Sequence, residues 1–237
     1  MASTEAAAAR PAPDPAVLPS PGAEAPRVRS LRAAAQLLSA RDPVVAALLG
    51  ALGPPRLRPP QPSHFAALVR AIVYQQLAGP AAAAIHGRLV GALGDVEPRA
   101  VLSASAAQLR AVGLSAGKVA SLVDLARRVD EGTLVLDSSL SRLGDEEIVR
   151  RLSTVRGIGR WTAEMFLLFQ LRRLDVWPTG DLGVRRGYGL AWGVPMPPAR
   201  QLEALGDRFR PYRSIVAWYC WRACELYARQ DGRALTG

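Results

Sequence analysis

The sequence predicts an all-α fold with two helical lobes. Three observations carry that expectation. Strand-like alternation of Val, Ile, Thr and aromatic residues does not persist anywhere, and "TLVLD" at 133–137 is the one short candidate. Apolar residues recur instead at helical spacing. Pro/Gly breaks and N-cap residues punctuate these runs, giving about ten helices joined by tight turns.

The elements follow in chain order. Residues 1–26 are Ala/Pro-rich and lack a basic start followed by an apolar core, so they read as a disordered tail and not a secretory signal. Acidic Glu5, Asp14 and Glu24 argue against a transit peptide. The helical part is expected over 27–237. Asp42-Pro43 is an N-cap followed by proline at the first helical position, opening "VVAALLGAL". "GPPRLRPPQP" (53–62) breaks the chain, and Ser63 caps "HFAALVRAIVYQQL". Gly79-Pro80 starts "AAAAIHGRLVGAL", and Gly113 separates "ASAAQLRAV" from "SAGKVASLVDLARRVDEG". Asp145 is the expected cap of "EEIVRRLSTV". "RWTAEMFLLFQL" is apolar nearly all round and is expected to be central. The loop "DVWPTGD" leads into "LGVRRGYGLAW", and "ARQLEALGDRF" and "RPYRSIVAWYCWRACELYARQ" complete the chain. The expected lobes are approximately 70–178 and 27–69 plus 179–237.

The formal net charge is +10, and only one of the 30 basic residues, Lys118, is lysine. Such an excess favours a polyanionic partner, nucleic acid first. A codon bias toward Ala, Arg, Gly and Pro accounts for the same composition. Cys220 and Cys224 are the two cysteines and cannot by themselves hold a four-thiolate iron–sulfur cluster. With His64 and His86 they show no metal-site spacing, so structural zinc is not expected and two reduced thiols fit a cytosolic protein. No apolar run reaches the length of a membrane span.

"VRGIGRWTAEMF" (155–166) carries the sharpest chemical signal. A helix end at Gly157-Ile158-Gly159 and the next helix start leave backbone N–H groups unpaired. Glycines remove the Cβ atoms that would hold a ligand away, and a phosphate suits the positive end of the helix dipole. Ile158 is expected to pin the loop to the core. Carbonyls of the same turn, at Ser153, Val155 and Ile158, could face a monovalent cation such as Na+ or K+. An ordinary αα-turn is the alternative reading.

"LSTVRGIGRWTA" resembles the helix-hairpin-helix of DNA base-excision glycosylases, over about 145–171 here. "DVWPTGDLGVRRG" is similar to the catalytic loop of that superfamily. "ALVRAIVYQQLAGPAAAAI", "LRAVGLSAGKVASLVDLARRV" and "RPYRSIVAWYCW" resemble signatures of its 3-methyladenine (alkylbase) DNA glycosylase II branch. The matches run in order from about Pro43 to Glu225. Arg156 departs from the pattern, since proline usually precedes the first hairpin glycine. Nothing upstream of residue 27 resembles the β-domain that some members carry, so a compact form is expected.

The resemblance implies a monofunctional DNA glycosylase acting on alkylated purines such as 3-methyladenine or 7-methylguanine in double-stranded DNA. It implies a two-lobed fold with the active-site cleft between the lobes. A monomer in the cytoplasm, associated with the nucleoid and needing no cofactor, is expected. Asp181 stands at the catalytic aspartate. It follows Gly180 and begins a helix, so an N-cap role is open too, alone or combined with catalysis. Trp161 occupies the place where lyase-competent relatives carry lysine, so an abasic site is the expected product. Trp221 matches an aromatic wall of the base pocket, with Trp161 and Tyr74 as further candidates. Gln76 or Leu77 is the expected plug for the gap left by the flipped nucleotide. DNA-phosphate contacts are expected from Gly157, Ile158, Gly159, Arg156, Arg160, Thr162 and Lys118, and Arg185, Arg186 and Arg213 are further candidates. Trp192 and Trp218 are assigned to the core, and His64 and His86 to structural or surface roles. A same-fold glycosylase for oxidised or mismatched bases, and a non-catalytic DNA-binding protein, are the alternative functions.

Overall fold

A computed structural model describes residues 30–230, with side chains to residue 228; the expected tail at 1–26 lies outside the described residues. Twelve α-helices occur among the described residues, and no strand. They are α1 (Leu31–Ser39), α2 (Pro43–Leu52), α3 (His64–Tyr74), α4 (Gly79–Leu93), α5 (Pro98–Ser103), α6 (Ala106–Ala111), α7 (Ala116–Asp130), α8 (Asp145–Leu152), α9 (Arg160–Phe169), α10 (Leu182–Trp192), α11 (Ala199–Gly206) and α12 (Arg213–Gln230). The one strand candidate, 133–137, runs as irregular chain with Leu134 and Leu136 packed inward. None of these helices is long and apolar enough to cross a membrane.

The helix starts follow from local chemistry. Asp42 Oδ1 accepts from the Val44 and Val45 N–H groups at 2.9 and 3.1 Å, with Pro43 behind it at the first helical position. Ser63 Oγ accepts from Ala66 N at 3.0 Å and starts α3. Asp145 departs from expectation: Gly144 is the cap, and Asp145 is the first helical residue. Its carboxylate is drawn instead to Arg173, 3.2 Å away, whose guanidinium also donates to the Leu143 carbonyl.

Two hydrophobic clusters form the lobes. The larger runs from Phe65 to Val176 and takes in α3 to α9. The smaller joins α1 and α2 to the region from Trp177 onward, including α10 and α12. The divisions therefore fall before α3 and between Val176 and Trp177, not at 69/70 and 178/179. α3 begins at His64, and its buried residues Phe65, Leu68, Val69, Ile72 and Val73 all face the larger core. Trp221 packs against both clusters and marks the seam.

Close approach of α10 and α12 builds one wall of that seam. A Cβ on Gly187 would lie 1.8 Å from the Cys220 carbonyl oxygen, and one on Gly183 would lie 2.8 Å from Trp221 Cδ1. Four residues apart, these glycines share one helix face. Their bare surface lets α12 bring Trp221 against the start of α10.

Candidate active site

The hairpin between α8 and α9 is fixed from inside. Ile158 is buried in the larger core, as expected. Burial of such a side chain contributes roughly 1.5–3 kcal/mol. The turn's Ile158 N–H bond to the Val155 carbonyl, at 3.1 Å, adds about 1 kcal/mol net. Core contact therefore outweighs the turn bond in holding the loop. The two glycines differ. Gly157 has φ +76°, and a Cβ there would strike Ser121 Oγ at 2.4 Å, so the fold itself requires glycine. Gly159 has an ordinary φ of −96°, and a Cβ there would meet nothing within 4 Å. Nothing inside the protein requires a glycine at 159. The main-chain N–H groups of Arg160, Trp161 and Thr162 make no hydrogen bond among the described residues, and no side chain caps α9. Gly159 and these three donors leave open, unpaired main-chain N–H groups at the positive end of α9, chemistry that suits an anion.

The charged groups expected around this turn are placed unevenly. Arg156 donates its backbone N–H to Asp124 Oδ2 at 2.8 Å, while its guanidinium makes no ion pair among the described residues. Arg160 holds Glu146 through two bonds, 2.8 and 2.6 Å long. Both side chains are largely exposed, so the pair is worth about 0–1 kcal/mol and a phosphate can compete for the guanidinium. Thr162 is buried, and its hydroxyl accepts from Gln75 Nε2 at 3.0 Å, leaving only its N–H at the turn. Lys118 differs from expectation. Its ammonium points inward and donates to the Val73 and Gln75 carbonyls at 2.7 and 2.8 Å. Desolvation by burial lowers its pKa. It closes the C-terminus of α3, whose last carbonyls lack helical partners, instead of contacting a phosphate.

The segment after α3 connects these parts. Gln75 donates through Nε2 to the Gly157 carbonyl at 2.9 Å as well as to Thr162, so it ties α3 to the hairpin. Gln76, next in sequence, has φ +54°, the left-handed region that costs a non-glycine residue roughly 1–2 kcal/mol. Gln76 and Leu77 are both exposed beyond the clamp. Strain of this kind is characteristic of functional loops.

Asp181 caps α10 and is nearly buried, at 9 % exposure. Oδ1 accepts from Val184 N at 2.8 Å and from Trp221 Nε1 at 2.9 Å. Oδ2 accepts from Trp161 Nε1 at 2.6 Å. Trp161 is the second residue of α9, two positions after Gly159, so the hairpin and the carboxylate meet through one indole. Charge-assisted bonds of this kind are short and about twice as strong as neutral ones.

The carboxylate lies on the wall of a cavity of about 850 Å³. Trp161, Trp221 and Tyr74 line it, as the sequence suggested. Phe169 stacks on Trp221 with ring centroids 5.7 Å apart. Arg70 lies over the Tyr74 ring, 3.7 Å from its centroid. Trp218 also lines the cavity, which departs from its assignment to the core alone. Trp192 does pack internally, stacked on Tyr188 at 4.3 Å. His64 contacts Phe166 edge-on, and burial lowers its pKa.

The family model for the HhH-GPD superfamily of base excision DNA repair proteins matches residues 69–211. The chain belongs to this superfamily. That match spans α9, its hairpin and Asp181 together. Among curated relatives, DNA-3-methyladenine glycosylase 1 of Schizosaccharomyces pombe is 35% identical over 163 residues, covering 67% of this chain and 72% of the relative. Among solved structures, the S. pombe 3-methyladenine DNA glycosylase (Mag1) in complex with abasic DNA has a TM-score of 0.73 at 33% identity, over 80% of this chain and 95% of that one. The DNA-3-methyladenine glycosidase of Bacillus halodurans has a TM-score of 0.73 at 31% identity, over 83% of this chain and 91% of that one.

Within this superfamily fold, four contributors escaped sequence reasoning. Gln75 is signalled by the doubled glutamine after α3, where the sequence points to its neighbour Gln76 instead. Arg70 and Phe169 carried no local signal: one sits in an ordinary amphipathic helix, the other in a helix apolar on every side. Gln170 lies at the cavity with its amide bound to the Gln61 main chain.

Proposed function

We propose that the protein is a monofunctional DNA glycosylase that hydrolyses the N-glycosidic bond of alkylated purines in base-excision repair. One observation carries this reading. A carboxylate, held by two indoles that also wall a cavity roomy enough for an extruded base, lies beside a hairpin with open main-chain donors. The names of the relatives support the substrate class, and the relative solved with abasic DNA supports DNA as the partner.

The chemistry follows from the groups present. The hairpin N–H groups grip a backbone phosphate, sequence-independently. Gln76 or Leu77 fills the gap when the damaged nucleotide turns out of the stack. The base enters between aromatic walls, where a cationic alkylpurine gains about 0.5–2 kcal/mol. As the C1′–N bond breaks, the electron pair leaves with the base and the sugar develops oxocarbenium charge. Asp181 stabilises that charge and accepts the proton of the water that adds at C1′. It is the one acidic residue lining the cavity among the described residues. The only lysine in the chain, Lys118, has its ammonium on two carbonyls of the α3 end. No amine is therefore offered for a Schiff base, and the product is an intact abasic strand.

The Ser153 and Ile158 carbonyls accept no hydrogen bond among the described residues, and the Val155 carbonyl accepts one. These oxygens would suit Na+ or K+ at the turn, which would add positive charge beside the phosphate. The protein would act as a monomer in the cytoplasm, at the nucleoid.

The test is a base-release assay on methylated duplex DNA, with products separated by chromatography. Methylpurines should appear, and the strand should break only after alkali. Release of 8-oxoguanine or mismatched adenine, with methylated DNA untouched, would overturn the substrate assignment.

A further inference from the structure

The polar groups of the cavity are lopsided. Most of its side-chain acceptor capacity is already engaged. Asp181 accepts three N–H bonds, and the Thr162 hydroxyl accepts one from Gln75. Gln170 takes the Gln61 N–H on Oε1 and turns its amide nitrogen to the Gln61 carbonyl and His64. That pairing fixes which end of the amide is oxygen. The donors remain open. Arg70 lines the cavity, pairs with no carboxylate among the described residues, and is half-buried against the Tyr74 ring. The Trp218 indole N–H is a second open donor, whereas Arg56 and Arg58 are exposed at the rim. The Tyr74 hydroxyl and the Gln61 side-chain amide, which makes no hydrogen bond among the described residues, can serve either way.

A pocket whose open donors outnumber its open acceptors distinguishes bases by the polarity of their edges. An oxygen at C6 of a purine accepts; an amino group at C6 donates. A donor facing a donor leaves both unpaired, and sites that reject a partner this way discriminate strongly. We propose that Arg70 is a specificity residue favouring alkylated 6-oxopurines, such as 7-methylguanine, over 6-aminopurines, such as 3-methyladenine. Both bases are cations in DNA. Repulsion from the guanidinium is therefore common to both and cancels in their ratio, leaving the hydrogen-bond difference. Tyr74 acts with Arg70 by fixing the plane of its guanidinium.

This inference rests on the proposed function and deepens it. The experiment follows both methylpurines released from one methylated duplex, in single turnover with enzyme in excess. Arg70→Met keeps the length of the stem and removes the donors; Arg70→Lys keeps a donor. Thermal melts confirm that each variant folds. The ratio of 7-methylguanine to 3-methyladenine release should fall about tenfold in Arg70→Met, and recover in part in Arg70→Lys. Two rates that fall in parallel, or an unchanged ratio, would overturn the role of Arg70. Absence of any methylpurine release by the wild type would overturn the proposed function, and this inference with it.

Discussion

The two sides of the cleft are built on opposite principles. At the hairpin, main-chain donors stand open and Gly159 answers to nothing inside the protein. At Asp181, both carboxylate oxygens are already engaged by Trp161, Trp221 and Val184. The first side is a surface of unpaired donors, suited to an anion. The second is a preorganised charge whose position is settled before substrate arrives. In the proposed reading, binding and chemistry thus fall to different groups, with Trp161 reaching from one to the other. Substitutions should separate the two.

The largest effect is expected where the preorganised side is assembled. Gly187→Ala places a methyl group where the Cys220 carbonyl now lies, forcing α10 and α12 apart. Denaturant unfolding should show a loss of about 3 kcal/mol, the upper part of the usual overpacking range. Base release should fall as Trp221 leaves Asp181.

The hairpin glycines sharpen the contrast further. Gly159→Asp introduces no clash but sets a negative charge at the anion site. Its affinity for duplex DNA should drop about tenfold in fluorescence anisotropy, with the melting temperature unchanged. Gly157→Ala should do the reverse in stability, losing about 1–3 kcal/mol through its positive φ and the Ser121 contact. Equal loss of stability at both positions would break the distinction.

Trp161→Phe keeps an aromatic wall and removes one indole donor from Asp181 Oδ2. A hydrogen bond to a charged group is worth about 1.5–3 kcal/mol, so single-turnover release should slow about tenfold or more. Binding of abasic duplex should change far less.

The smallest effect lies outside the cleft. Burial pushes the Glu164 carboxyl up to about 7, and Arg160, 3.7 Å away, only partly offsets this. The folded state therefore favours the protonated form. The associated stability is fully present below the ordinary glutamate range and is lost as pH rises through about 7. Glu164→Gln should raise the melting temperature at pH 8 more than at pH 5. The opposite order would show that the Arg160 pair outweighs burial.

Much of this arrangement was legible in the sequence because it is local. N-caps at Asp42 and Ser63, the Gly157-Ile158-Gly159 turn and the cap position of Asp181 depend on neighbours within a few residues. The resemblance supplied the expected role of Asp181, and Trp221 does line the cavity beside it. What stayed hidden was long-range pairing. Lys118 is expected at a phosphate because nothing near it in sequence reveals the carbonyls of Val73 and Gln75. The lobe boundary was set a few residues late because helical periodicity shows that α3 buries a face, not which core receives it. Trp218 and Phe169 were undistinguished for the same reason: an apolar helix gives no sign of which aromatic ring meets a cavity.

The separation of grip from chemistry is tested most directly with Asp181→Asn. The amide oxygen can still cap α10, while the amide nitrogen faces an indole N–H, so a melt should accompany the assay. At saturating enzyme, methylpurine release is predicted to fall at least about a hundredfold, with affinity for abasic duplex within about threefold of wild type. Wild-type release rates, or equal loss of binding and release in a folded protein, would contradict it.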